Sequence, residues 1–160
     1  MRILGIDPGS RVTGYGIIEK GIKGIAGVGY GEIKPRSDAS LTTALATVYD
    51  ALSRLIVEMK PDAMAVENIF YGKNVQSLIK LGHIRGVTLL AGAKQGVPVY
   101  EYSPLEIKKA VVGYGRAEKS QVQTMVKAIL QLREKPTPDA ADALAVAICH
   151  AHCSGPSVSS

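Results

Sequence analysis

The sequence contains few cysteines and no long apolar run. Its two cysteines, Cys149 and Cys153, lie close together near the C-terminal end, so they cannot form a disulfide framework across the fold, and we expect reduced thiols. No apolar run reaches the roughly 18 residues that a membrane span requires, and the first strand-like segment is too short for a signal peptide. These absences predict a soluble cytoplasmic protein with no membrane partner.

The charge of the chain is unevenly distributed. The 160 residues are 46% hydrophobic, which predicts one core and one domain over residues 1–153, followed by a disordered Ser-rich tail at 154–160. The net charge is +5, but eleven Lys or Arg and only four acids lie between Lys73 and Lys135, which gives this segment +7. Such a segment forms either a solvated basic surface or a surface that binds nucleic acid.

Hydrophobic periodicity predicts an α/β fold. Strands are expected at residues 2–7, 13–20, 25–35, 63–66 and 97–102. Helices are expected at residues 40–60, 75–95, 103–112, 117–132 and 138–152. This order suits a mixed five-stranded sheet with helices on both faces.

Two acids follow buried strands. Asp7 ends the apolar run 3–6, and Glu67 ends the run 63–66. An Asp-Pro-Gly sequence also opens turns on its own account, which is the alternative explanation for Asp7. If the two strands are neighbours, however, their carboxylates meet at one edge of the sheet.

Two further acids begin the last helix. Thr137 is a candidate N-cap, and the helix dipole alone could account for Asp139 in the first turn. Asp142 is harder to explain in this way, because the residues around it are apolar on nearly every side of the helix and imply burial. Residues three apart share a helix face, so both acids can point at one site.

Four carboxylates without a matching basic partner repel one another unless a cation neutralises them. Oxygen ligands without thiols or imidazoles favour Mg²⁺, with Mn²⁺ able to substitute, over zinc. Such a site suits hydrolysis of a phosphodiester by two metal ions per subunit, and we expect Asp7 to be shared between them.

Four segments of the chain, residues 6–16, 66–70, 115–122 and 139–144, resemble the RuvC family of Holliday junction resolvases in order and spacing. The resemblance extends over nearly the whole chain. It implies an RNase H-like fold and places the acidic tetrad of the family on Asp7, Glu67, Asp139 and Asp142. It also implies a bacterial homodimer that nicks two strands of a four-way DNA junction, in partnership with RuvA and RuvB, during recombination and repair.

Several residues around the acids are candidates for DNA binding. The resemblance implies base stacking by Phe70 and contacts near the scissile phosphate from Lys108 and Lys119. Tyr71 is a further aromatic candidate, although either aromatic could instead anchor the loop in the core. The phosphate track would be extended by Lys73, Lys109 and Arg116, for which a solvated helix face is the alternative.

Two other patterns have competing explanations. Gly82 and Gly86 form a smooth strip that predicts close helix packing, either in a dimer or against the protein's own sheet. The Cys and His residues at 149–153 superficially resemble a metal site, but the two His diverge on a helix, so buried thiols are expected instead.

Other functions are compatible with parts of the sequence. Asp-X-Gly turns also occur in sugar kinases and actin-like ATPases, where this turn would be a phosphate loop, but we expect those folds to need a second domain that 160 residues cannot supply. A catalytically silent junction-binding protein would need only the basic segment, whereas acids at a DNA surface weaken binding unless a metal offsets them. A nuclease of the related YqgF type would act on RNA instead.

Overall fold

The computed structural model describes residues 1–69 and 74–153. Within these ranges the strands are β1 (Arg2–Asp7), β2 (Thr13–Gly21), β3 (Gly24–Ile33), β4 (Ala63–Glu67) and β5 (Val99–Tyr102). The helices are α1 (Leu41–Met59), α2 (Val75–Lys94), α3 (Pro104–Val112), α4 (Lys119–Ile129) and α5 (Pro138–Cys153). The predicted order of elements is therefore confirmed for the described residues.

The strands form one mixed sheet in the order β3-β2-β1-β4-β5. Strand β1 lies in the middle, antiparallel to β2 and parallel to β4. Because Ile6 pairs with Val66 in parallel strands, the C-terminal residues of β1 and β4 lie side by side at the same end of the sheet. The sheet order thus makes neighbours of the two strands that end in acids, which is the condition under which we expect their carboxylates to meet.

Helices cover both faces of the sheet, and the alternation of strand residues decides which face each side chain meets. Leu4, Ile6 and Met64 pack with α1 and α2 on one face. Ile3 and Ala65 pack with α3, α4 and α5 on the other. Since side chains two apart share a face, Asp7 and Glu67 project toward the side that α5 covers.

Helix α5 packs unusually close to the sheet because glycines face it. A Cβ atom at Gly5 would lie 2.1 Å from the carbonyl oxygen of Ala143, and one at Gly16 would lie 2.6 Å from the Leu144 side chain. At Gly14, which pairs with Asp7, the added atom would lie 2.0 Å from the Asp139 carbonyl oxygen. The sheet therefore tolerates no side chain at these positions while α5 stays in place.

The ends of several elements differ from the sequence-based expectation, and β3 spans Gly24–Ile33 rather than 25–35. Helix α4 spans Lys119–Ile129 rather than 117–132, because Glu118 and Gln121 form a capping box at its start and Gln131 adopts a left-handed conformation, with φ of 51°, after its end. Strand β5 begins at Val99 rather than 97. None of the helices in the described ranges has the length and apolarity needed to cross a bilayer.

The glycine strip of α2 faces outward. A Cβ atom at Gly82 or Gly86 would meet no described atom within 4 Å. Close packing of α2 on the sheet is provided instead by Gly92, where an added Cβ would lie 2.6 Å from Val99 and 2.7 Å from Met64. Of the two explanations for the strip, packing against the protein's own sheet is therefore wrong.

Candidate active site

Asp7 and Glu67 meet at the end of the central strands. Their side chains are hydrogen-bonded to each other. Both side chains are partly buried beneath the start of α5, because the strand alternation turns them to that face. Two carboxyl groups at this distance repel each other when both are ionised, so the pair disfavours a double negative charge.

Helix α5 brings the other two acids to the same place. Its first turn is closed by a hydrogen bond from the Ala141 amide to the Thr137 carbonyl oxygen, which is 2.8 Å long. The contact with Gly14 seats Asp139 beside Asp7, and Asp142 follows less than one turn later on the same side. The structure thus gathers all four predicted acids at one end of the sheet.

The pKa values of three of the acids show how strongly the cluster disfavours negative charge. Burial, followed by the proximity of Glu67, Asp142 and Asp139, raises the pKa of Asp7 to about 9. Burial also raises the pKa of Glu67 and that of Asp142, although the nearby Lys119 and Lys108 partly offset the increase. The cluster therefore has a strong electrostatic preference for a proton or another cation.

One of the acids has a basic partner, Lys119, which the resemblance placed near the scissile phosphate but not in an ion pair with Asp142. The Nζ atom of Lys119 lies 2.9 Å from Oδ2 of Asp142. This hydrogen bond, more than any other cause, raises the pKa of Lys119. The expectation that the four acids lack a local basic partner is therefore wrong, because α4 begins directly beside α5.

A cleft of about 230 Å³ opens over these acids. Lys108 and Lys119 line it together with Glu67 and Asp142, and apolar residues of α3, α4 and α5 complete its walls. Two other predicted cations, Lys109 and Arg116, are exposed and do not line the cleft. The predicted DNA-binding residues Phe70, Tyr71 and Lys73 lie outside the described residues.

One neighbouring group was not predicted from the sequence. Glu32, near the end of β3, makes a 2.6 Å ion pair with Lys34 and a hydrogen bond with the Thr137 side chain, and these contacts lower its pKa. Lys34 also interacts electrostatically with Asp139. The sequence pattern Glu-X-Lys does not indicate that these residues lie beside Thr137 and Asp139, because only the sheet order brings the end of β3 to the start of α5.

The donor set fits a hard divalent cation. All four side chains offer carboxylate oxygens, and a cation would remove the charge penalty that raises the pKa values of Asp7, Glu67 and Asp142. Nowhere in the described parts of the chain do three His, Cys, Asp or Glu side chains already surround a common metal position. Asp7 contacts Glu67, and Oδ2 of Asp142 contacts Lys119, so a bound cation would compete with both contacts.

The Cys and His residues at the end of α5 make separate contacts. Cys149 is buried as expected, but Cys153 is exposed, so the prediction of buried thiols is right for only one of them. The Nδ1 atom of His150 lies 2.7 Å from the hydroxyl oxygen of Tyr102, and Nδ1 of His152 lies 3.0 Å from the carbonyl oxygen of Ala110. The two imidazoles therefore diverge, as helix geometry predicted.

Comparison with known proteins connects this geometry to a family. A family model described as crossover junction endodeoxyribonuclease RuvC matches residues 3–150. The curated protein of that name from Syntrophotalea carbinolica is 58% identical over 153 residues, which cover 96% of this chain and 95% of that protein. The one from Geobacter sulfurreducens is 53% identical over 152 residues, covering 95% and 93% of the two chains.

A solved structure shows the same fold. T. thermophilus RuvC in complex with Holliday junction substrate superimposes with a TM-score of 0.89 at 34% identity, covering 95% of this chain and 93% of that one. The fold is therefore RNase H-like, as the resemblance implied. Because the family model, the relatives and the solved structure all agree across nearly its whole length, this chain belongs to the RuvC family of crossover junction endodeoxyribonucleases.

Proposed function

We propose that this protein is a Mg²⁺-dependent endonuclease that resolves four-way DNA junctions by paired symmetric nicks during homologous recombination and DNA repair. The observation that carries the proposal is the cluster of four carboxyl groups beside two cleft lysines. Carboxylates alone would repel the DNA phosphates. A cluster of them beside basic residues is compatible with DNA binding only when divalent cations neutralise their charge. Membership of the RuvC family supplies the substrate class.

In this proposal Asp7, Glu67, Asp139 and Asp142 would hold two divalent ions, Mg²⁺ or Mn²⁺, through their carboxylate oxygens. Bound ions of this kind make water more acidic and stabilise negative charge on a leaving oxygen. Lys108 and Lys119 line the cleft and orient the phosphate that enters it. The apolar wall of the cleft restricts bulk water near that phosphate.

We further propose that two copies of the chain form a homodimer through the outward face of α2. A groove of about 400 Å³ runs along this face, lined by Leu45, Ile79, Gly82, His83, Gly86 and Val87. Ile79 is 54% exposed beside the two glycines, which leave room for a second helix to approach closely. A two-fold protein would place two active sites on a four-way junction, which suits paired nicking.

The remaining parts of the proposal rest on family membership. We place the protein in the bacterial cytoplasm, where it acts with the RuvA and RuvB branch-migration complex. Phe70 is assigned to base stacking at the junction, and Tyr71, Lys73, Lys109 and Arg116 are assigned to peripheral DNA contacts. Residues 1–153 are proposed to act as a single nuclease domain.

The test is cleavage of a synthetic mobile four-way DNA junction with Mg²⁺, using wild type and Asp7→Asn, with linear duplex DNA and a four-way RNA junction as comparison substrates. Paired symmetric nicks in the DNA junction alone, abolished in the variant while binding persists, are the expected result. Binding without cutting would support a silent junction-binding protein. Equal cutting of duplex DNA would indicate a general nuclease, and preferential cutting of RNA a YqgF-type activity.

A further inference from the structure

A basic groove opens at the same end of the sheet as the acidic cluster, between the β1–β2 loop, the segment that follows β3, and residues of α1 and α2. It has a volume of about 680 Å³, and its lining begins at Ser10, three residues after Asp7. Lys34, which also lines it, directly follows β3 at one edge of the sheet. Lys108 lies on α3, which follows β5 at the other edge. The four acids therefore lie between two basic surfaces rather than beside one.

The groove carries more positive charge than its neighbours neutralise. Four cations line it, and no acid does: Arg11, Lys34, Arg36 and Lys80. Two of these are compensated, because Glu32 pairs with Lys34 and Asp38 pairs with Arg36 at 3.0 Å. Neither Arg11 nor Lys80 forms an ion pair with any described residue. A concave surface with uncompensated cations focuses positive potential and attracts a polyanion.

We propose that this groove binds the phosphate backbone of the junction strand where that strand leaves the acidic cluster toward β3. The proposal rests on the proposed function. A strand with one phosphate at the acids must continue in both directions, and the cleft that holds Lys108 and Lys119 accounts for only one of them. Lys34 joins the two regions, because it lines the groove and its charge also acts on Asp139.

The side chains in the groove suit phosphate contacts rather than base readout. All four cations are exposed, so their charged groups can reach a ligand without rearrangement of the core. Ser10 and Ser37 add hydroxyl groups that can donate hydrogen bonds to phosphate oxygens. This combination gives affinity and register on the strand with no dependence on its sequence. An acidic protein segment is the competing occupant, and it would leave junction binding independent of the groove.

The test compares two variants that each lose two positive charges. Arg11→Ala/Lys80→Ala removes the uncompensated cations of the groove. Lys23→Ala/Lys94→Ala removes two exposed lysines at the opposite end of the sheet, one in the β2–β3 turn and one at the end of α2. Junction affinity is measured over a range of salt concentrations in the Asp7→Asn background, so that bound DNA is not cut. Equal net charge in the two variants controls for long-range attraction.

We expect the groove variant to show a salt dependence that is shallower by about two units of slope, because each phosphate contact contributes roughly 0.9. The fall in its affinity between about 50 and 200 mM salt should be roughly tenfold smaller than that of the parent protein. The matched control should keep the parent slope. A groove variant whose slope and affinity equal those of the control overturns the inference and favours an acidic protein as the occupant.

Neutral methylphosphonate linkages locate the contact on the DNA. Introduced singly along the scissile strand, they should weaken binding on both sides of the scissile position in the parent protein. In the groove variant, the effect should disappear on one side only. If methylphosphonates still weaken binding of the groove variant on both sides, the inference is contradicted. Cleavage of the same junction by the wild-type protein would then show that the proposed function still stands. A parent protein that does not bind junctions overturns both.

Discussion

Lys119 and Asp142 form an ion pair across the mouth of the acidic cleft, with 2.9 Å between Nζ and Oδ2. The lysine begins α4, and the aspartate lies in the second turn of α5, so the contact ties the two helices together beside the cluster. The Lys119 side chain is 61% exposed, whereas that of Asp142 is only 20% exposed. The ammonium group is therefore free to leave, and the carboxylate is the fixed partner.

This relationship predicts competition between Lys119 and metal ions. Lys119→Met keeps most of the aliphatic stem and removes the charge. At alkaline pH we expect its Mn²⁺ affinity to rise by up to about fivefold, because an exposed ion pair contributes at most ~1 kcal/mol. Junction cleavage should fall, since the variant lacks a cation of the cleft. Calorimetric titration with Mn²⁺ measures the affinity. Lys127→Met, on the same helix but outside the cleft lining, should change neither property.

The raised pKa of Asp7 predicts that this residue destabilises the metal-free protein at neutral and alkaline pH. In the unfolded chain the Asp7 carboxyl group loses its proton near pH 3.8, but in the folded protein it keeps that proton up to about pH 9. Folding therefore becomes less favourable as the pH rises through that window. Asp7→Asn removes the penalty, so its free energy of unfolding should exceed that of wild type near pH 9, by an amount on the order of several kcal/mol.

Urea denaturation in EDTA across this pH range measures the effect. The difference between Asp7→Asn and wild type should shrink toward pH 4, where both states of wild type hold the proton. Added Mg²⁺ should stabilise wild type more than the variant. Asp50→Asn, an exposed change on α1, should show no comparable trend. A stability difference that does not vary with pH would show that the charge of Asp7 is not the cause.

Site residues can be predicted from the sequence when a local pattern marks them, but not when only the order of strands in the sheet brings them to the site. Asp7 and Glu67 are detectable because each ends an apolar run, and their meeting requires only that the two strands be parallel neighbours. Asp142 is detectable because a carboxylate stands out on an apolar helix. By contrast, Lys34 and Glu32 approach α5 only because β3 lies at the outer edge of the sheet, which no local pattern specifies.

The glycines beneath α5 illustrate a second limit of sequence analysis. Gly14 and Gly16 alternate along β2, which resembles a weak strand when only propensity is considered. Their role emerges from the packing distance of α5, since an added Cβ atom at either position would overlap the helix. Sequence periodicity reports which face is buried, but it does not report how close the covering helix lies.

Gly14→Ala tests whether this close approach positions the acids. The added Cβ would lie 2.0 Å from the carbonyl oxygen of Asp139, so the start of α5 must move away. We expect destabilisation of about 1–3 kcal/mol, as for other overpacked sites, together with loss of junction cleavage. Gly29→Ala is the matched control, because its nearest contact would be 3.9 Å from Ile17. Chemical denaturation and cleavage assays should separate the two, and equal stability of both variants would contradict the packing argument.

The outward-facing glycines of α2, Gly82 and Gly86, predict that larger side chains at these positions will change the oligomeric state. Gly82→Gln/Gly86→Gln adds two side chains where the subunit itself leaves open space, and replacing glycine raises helix propensity by several tenths of a kcal/mol per site. Helix content should therefore not fall, while two copies of α2 can no longer approach closely. Sedimentation velocity should show a dimer for wild type and a monomer for the variant. Ala93→Gln, exposed near the end of the same helix, should remain dimeric. A wild-type protein that is monomeric at all concentrations would exclude this interface, whereas a variant that stays dimeric would place the contact on another surface.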